Sequence, residues 1–350
     1  MKRAGARRLR CALGLALTLA AGLSCGAPPK PAAPEPPLTP LHLEPACSLA
    51  PSAKLEWLVD ARPRAIAQTP ELVPAIAMLV SEDRFRAHAS AHGGVDLRQV
   101  QDLCVARYAE STLVVAHTPV DPRKIEEAFA TRASNVEGRA VDVPNPPVLR
   151  MWGDVHGTRE QIVVFGRDAV AMEQGRFGVL RASQAFALGK LKRAAPALRG
   201  RALAGVVERL GEAPLRVLAP GPFEGEAAKG LGGLLGASTA LGVAARVPSR
   251  EDLAVRGVGA KVTTPIHVRV VLLGAWGADG PKAAERLAAA ANVLAESGMG
   301  HLFGLDRPVD GPRTRAEGDA LIFEAIFDGT LLAHGMHDAI DAEVRDIMGH

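Results

Sequence analysis

Val148 to Glu173 reads VLRMWGDVHGTREQIVVFGRDAVAME, and its reading decides the fold. Three β-rich runs, Val148–His156, Gln161–Phe165 and Ala169–Glu173, are separated by Gly157 and by Gly166-Arg167-Asp168. Valine, isoleucine and phenylalanine suit a pleated, half-buried surface, and gaps this short join neighbouring strands antiparallel. The stretch therefore predicts an antiparallel meander. A chain that also carries helical periodicity elsewhere is then α+β.

Working outward, Leu55–Val59 predicts a strand, followed by the breakers Pro63 and Pro70. Leu72, Ile76, Leu79, Val80 and Phe85 keep helical spacing and predict one helix over 71–91, stopped at Gly93-Gly94. Val105–Tyr108 and Thr112–His117 read as strands, and Asp121 with Pro122 opens a helix through Thr131. Pro144–Pro147 is a loop and Arg181–Arg193 a helix. Downstream, Leu215–Ala219 predicts a strand and Glu224–Leu235 a helix. Ala240–Val247 and Leu253–Val262 read as paired strands, with His267–Leu273 a further one. Pro281–Ser297 is an Ala-rich helix, Leu321–Phe327 a strand, and Asp338 onward a terminal helix. Both halves, 46–200 and 201–350, follow a β-α-β-β-α plan. That plan fits two ferredoxin-like, split βαβ halves, the alternative being one large domain on a long curved antiparallel sheet. In either case the helices are expected on one face.

Composition narrows the function. Apolar residues make up 48% of the 350, but aromatic ones only 4%, so the core rests on many small contacts. Trp57, Trp152, Trp276 and Tyr108 are few for a sugar site, which usually stacks on such rings. The formal net charge of +3 is carried by the N-terminus: residues 1–24 hold five Lys and Arg and no acid. Without them 36 basic residues face 38 acidic ones, a balance that points away from nucleic acid.

Those first residues are themselves a motif. Lys2, Arg3, Arg7, Arg8 and Arg10 precede an uncharged run, Cys11–Gly22, and then Leu23-Ser24-Cys25-Gly26. A basic region, a short apolar region and small residues mark residues 1–24 as a secretory signal. The run falls short of the roughly 20 apolar residues of a membrane span. Leu23-Ser24-Cys25 resembles the lipobox of bacterial lipoproteins, with the leucine displaced by one position. The resemblance implies cleavage before Cys25 and attachment of acyl chains, palmitate among them, through its thiol. Gly26, where aspartate would imply inner-membrane retention, implies the outer membrane of a Gram-negative bacterium. The rival is cleavage near Ala27 and release into the periplasm. Gly26–Pro40 then places seven prolines in fifteen residues. Polyproline II at about 3.1 Å per residue would make it a tether roughly 45 Å long, within a spacer over 25–45.

With Cys11 in the signal and Cys25 the lipid attachment, Cys47 and Cys104 remain. An even pair in an oxidising compartment reads as a disulfide, and two buried free thiols are the alternative.

Several clusters could carry chemistry. His88 and His92 lie four apart on one helix face and are a candidate metal pair, with Glu82 or Asp83 a distant third ligand. His334 and His337, with Asp338 and Asp341, form a second candidate in what reads as a loop entering the last helix. Gly236-Ala237-Ser238-Thr239-Ala240 is similar to a nucleophile elbow, but a predicted helix precedes the serine and a strand follows it, the reverse of what an elbow needs. Gly230–Ala245 is free of charge and reads as a buried helix running into a buried strand. Asp154, His156, Thr158 and Glu160 would share one face if their strand is unbroken. Lys190, Lys192, Arg193, Arg199 and Arg201 read as a solvated helix end and linker. No phosphate-binding GxxxxGK and no CxxC is present. The sequence thus predicts a cell-envelope lipoprotein whose ectodomain binds or scaffolds without catalysis and without a cofactor. It meets the membrane through its lipid, takes an envelope protein as possible partner and binds no nucleic acid. An envelope hydrolase or metal-dependent enzyme, and an accessory subunit of an export or assembly system, are the alternatives.

Overall fold

A computed structural model describes residues 38–176, 178–190, 195–258 and 264–348. The expected signal, the Cys25 anchor and the tether up to Pro37 lie outside the described residues, as do Lys192 and Arg193. The meander forms as its sequence predicts. β5 (Pro147–Val155), β6 (Thr158–Phe165) and β7 (Ala169–Gly175) pair through Val155↔Thr158 and Phe165↔Ala169. Before them come β1 (Leu55–Ala61), β2 (Asp102–Tyr108), β3 (Ser111–His117) and β4 (Ala133–Pro144). After them come β8 (Leu215–Pro220), β9 (Ser238–Arg246), β10 (Pro265–Gly274), β11 (Asp310–Glu317) and β12 (Ala320–Asp328). All twelve join one open sheet in the order β11-β12-β10-β9-β8-β1-β2-β3-β7-β6-β5-β4. Every pairing in it is antiparallel.

The fold is therefore α+β on a single long antiparallel sheet. A split βαβ unit needs a third strand inserted between the two that its helix joins. Here β1 and β2, joined through the helical residues after Ala61, are direct neighbours (Leu58↔Ala106). The two halves of the sequence meet where β1 pairs with β8, at Leu58↔Leu218.

Helices cover both faces of the sheet, not the one expected. Partners in register share a face, so Leu58, Ala106, Leu113, Leu218 and Val271 point the same way. On that face the core includes residues of Ala46–Leu49, Val179–Ala187 and Arg201–Leu210. The opposite face holds two further clusters, one under helix Pro122–Arg132 and one under helix Gly280–Glu296. The reason is visible in the strands: β12 is buried from Ala320 to Phe327 and β6 from Glu160 to Phe165, so both sides need cover. Gly242 lets helix Arg201–Leu210 seat directly on β9, because a Cβ there would lie 2.1 Å from Val206 Cγ1.

The disulfide is present. Cys47 and Cys104 are bonded with Cα atoms 4.9 Å apart and both are fully buried, tying Ala46–Leu49 to β2. Nearby, Tyr108 Oη donates to the Pro51 carbonyl at 2.9 Å. The two edge strands are poor templates for further pairing: β4 has three register irregularities, and β11 carries Pro312 within one.

Other elements differ from the sequence reading. Ser81 accepts from the Arg84 N–H and caps a separate helix Glu82–Ala91, so residues 71–91 are not one helix. A capping box between Ser249 and Asp252 starts helix Arg250–Val255 where a strand was expected. Glu224–Leu235 keeps only helix Gly225–Ala228, since Leu231, Gly232 and Gly233 adopt positive φ. The last helix, Gly329–Met348, begins nine residues before Asp338. Among the described residues no helix is long and apolar enough to cross a membrane.

Candidate functional site

On β10, Val268 and Val270 alternate onto the face shared by Ala325 and Phe323 of β12, their partners in register. Helix Gly280–Glu296 lies over this floor. Its first half packs closely through Ala283, Ala284 and Leu287, all buried. In its second half small residues face large ones: Ala291 and Ala295 overhang Phe323 and Phe327, and a cleft of about 420 Å³ remains. Leu305, Pro308 and Leu332 close its sides. The volume and the apolar walls with a few polar groups are those of small-molecule sites. Those groups are Asn292, Glu296 and Asp306. Asp306 pairs with His301 Nδ1 at 3.0 Å and Arg307 Nε at 3.4 Å, and the hydrogen bond from His301 holds its carboxyl below the usual range. Leu294, Met299, Leu302 and Leu331 are exposed apolar residues on the elements around it.

A second, smaller apolar pocket of about 180 Å³ lies over the same sheet face in the first half, and His88 and His92 line it. Their rings stack at 4.2 Å with planes 17° apart. His88 Nδ1 reaches the Val95 carbonyl at 3.3 Å and His92 Nδ1 the His88 carbonyl at 2.9 Å. Carbonyls only accept, so each Nδ1 carries the proton and each Nε2 keeps its lone pair. In rings stacked nearly parallel, those lone pairs lie in separate, nearly parallel planes and do not converge on one ion. Burial, then the neighbouring His92, lowers the His88 pKa. Glu82 is bonded to Arg98 and Asp83 to Arg86. Among the described residues no group of three His, Cys, Asp or Glu could hold a metal.

His334 and His337 sit inside helix Gly329–Met348, not in a loop before it, and His337 Nδ1 is 3.7 Å from Asp338. Gly335 serves packing there: a Cβ would lie 2.3 Å from the Leu302 carbonyl oxygen. The Asp341 side chain lies outside the description. Ser238 is buried and its hydroxyl donates to the Leu234 carbonyl at 2.8 Å, with a short helix before it and β9 after it. Asp154 and Glu160 fall on opposite faces, because the chain reverses at His156-Gly157 and pairs Asp154 with Arg159. Glu160 is buried against Arg132 at 2.9 Å.

One constellation escaped the sequence reading. Glu324, alone in the apolar run of β12, is buried on the sheet face opposite the cleft. It accepts from Arg269 Nε at 2.6 Å, Arg315 Nη1 at 2.9 Å and Arg256 Nη2 at 3.4 Å. Burial pushes its carboxyl up, but the hydrogen bonds and charges of Arg269 and Arg315 outweigh this and hold it at about 2. Beside it, burial and then Arg246 lower His267 to about 4, against the pull of Glu324. The signal was available: a charge inside IFEAIF opposite another inside HVRVV.

No protein-family model and no curated protein matches this chain. A solved structure described as "Structure of crystal form III of TP0453" aligns over 83% of this chain and 97% of its own. The identity is 8% and the TM-score 0.46, a likeness too distant to carry an argument.

Proposed function

We propose that this chain is a cell-envelope lipoprotein, anchored through Cys25 to the outer membrane, whose ectodomain binds an apolar chain and catalyses nothing. The apolar cleft under helix Gly280–Glu296 carries the reading: Val268, Val270 and Phe323 form its floor, and Ala291 and Ala295 of the helix line it from above. The anchor is expected to show as fatty-acid labelling that disappears on Cys25→Ala; undiminished labelling overturns it. For the cleft, the full chain is titrated with the neutral apolar dye N-phenyl-1-naphthylamine. Ala291→Phe fills the roof and is expected to weaken dye binding at least about ten-fold while circular dichroism stays unchanged. A folded variant that binds the dye as the parent does removes the cleft from the proposal. Val293, Met299 and Met336, exposed apolar residues, favour a second reading as an accessory subunit of an envelope assembly. A membrane protein co-purifying equally with parent and Ala291→Phe would support that surface.

A further inference from the structure

We propose that the ligand of this cleft carries a cationic, ammonium-type head on a single apolar chain. The inference rests on the reading of the cleft above and adds the chemistry of its mouth. Three observations carry it. Among the described residues no Lys, Arg or His lines the cleft, and the ionisable ones that do are Glu296 and Asp306. Helix Gly280–Glu296, seventeen residues long, ends at this mouth with no basic residue in its last turn. A helix C-terminus carries partial negative charge and favours a cation, yet here the terminal residue is a glutamate. Glu296 makes no ion pair or side-chain hydrogen bond among the described residues, whereas Asp306 is paired with Arg307 and bonded to His301.

The mouth is thus one uncompensated carboxylate beside a negative helix end, above an apolar interior. An ammonium group on a chain seated in the cleft meets both charges. A carboxylate or phosphate head meets repulsion from both. One drug-sized volume accommodates one chain more readily than two. Because Glu296 is exposed, the preference is moderate and shrinks with added salt.

The test is displacement of N-phenyl-1-naphthylamine from the full chain by amphiphiles of equal tail, below micelle-forming concentration. Dodecyltrimethylammonium is expected to displace the dye at about five-fold lower concentration than dodecanoate at low ionic strength. Glu296→Gln should bring the two within about two-fold, by weakening the ammonium probe and relieving the repulsion of dodecanoate. Equal displacement by both heads in the parent, or a preference untouched by Glu296→Gln, overturns the head group and leaves the apolar cleft standing. A dye that never binds removes the cleft and the inference together. The ammonium probe presented in phosphatidylcholine vesicles separates the sources. Undiminished displacement means uptake from a bilayer, and displacement by monomer alone means uptake from water; both retain the cationic head.

Discussion

Replacing Cys47 and Cys104 together by alanine lowers the unfolding free energy by about 4 kcal/mol in a denaturant titration at neutral pH. The bridge spans 57 residues of sequence, and a loop of that length restricts the unfolded chain by about this much. Packing adds to it, since both sulfurs are fully buried among Leu58, Leu113 and Val115. The loss is concentrated in what the bridge holds. His42 N–H bonds the Ala187 carbonyl, and Pro51 pairs with Pro196, so residues 39–52 strap the face carrying helix Val179–Ala187. Hydrogen exchange in that strap should rise first. The denaturant slope should increase as well, because an unbridged unfolded chain exposes more surface. A stability loss below about 1 kcal/mol with an unchanged slope would contradict this account.

What the sequence disclosed follows from where each signal resides. The meander of β5, β6 and β7 was legible because its apolar runs and glycine turns are local, and Asp121-Pro122 opened its helix for the same reason. β4 and β11 were not legible. ASNVEGRAVDVP and DGPRTRAE have little β-propensity, and most of their residues stay exposed; they are strands because β5 and β12 offer them free hydrogen-bonding edges. Helix Arg201–Leu210 does bury Leu203, Val206 and Leu210 at helical spacing, but the arginines at its start read as linker. Ser249 and Asp252 carried a capping box that outranks the β-like residues after them. Helices on both faces were implied by QIVVF and ALIFEAIF, runs too continuously apolar to leave one side in water. The cleft lies on a different level. It is the space left when alanines on one element face phenylalanines on another some thirty residues away, and no local pattern encodes a void.

Glu324→Ala is expected to destabilise the protein by about 3–5 kcal/mol, through the charges it abandons more than through contacts it loses. Arg256 keeps Asp310 at 2.8 Å and Arg315 keeps Glu317, but Arg269 is left with the Arg209 carbonyl at 3.1 Å and no carboxylate among the described residues. Removing the stranded cation as well, in Glu324→Leu with Arg269→Met, should recover most of the loss, as apolar replacement of buried pairs often does. The acid response distinguishes this from simple packing. Glu324 titrates near 2 folded against an ordinary 4.5, so its stabilisation is complete above pH 4.5 and is lost as pH falls through about 2. His267, held near 4 against an ordinary 6.5, stays neutral while the unfolded chain takes up a proton. Its contribution is complete above pH 6.5 and disappears towards pH 4, worth at most about 3 kcal/mol. Both effects weaken the fold in acid, and they occupy different windows. Glu324→Ala abolishes the lower one. It steepens the upper one, because Glu324 is the group that pulls the His267 pKa upward against Arg246, Arg256 and Arg269. Unfolding free energies at pH 7, 5 and 3 read this directly. A gap between parent and variant that is the same at all three values would show that Glu324 acts by shape alone.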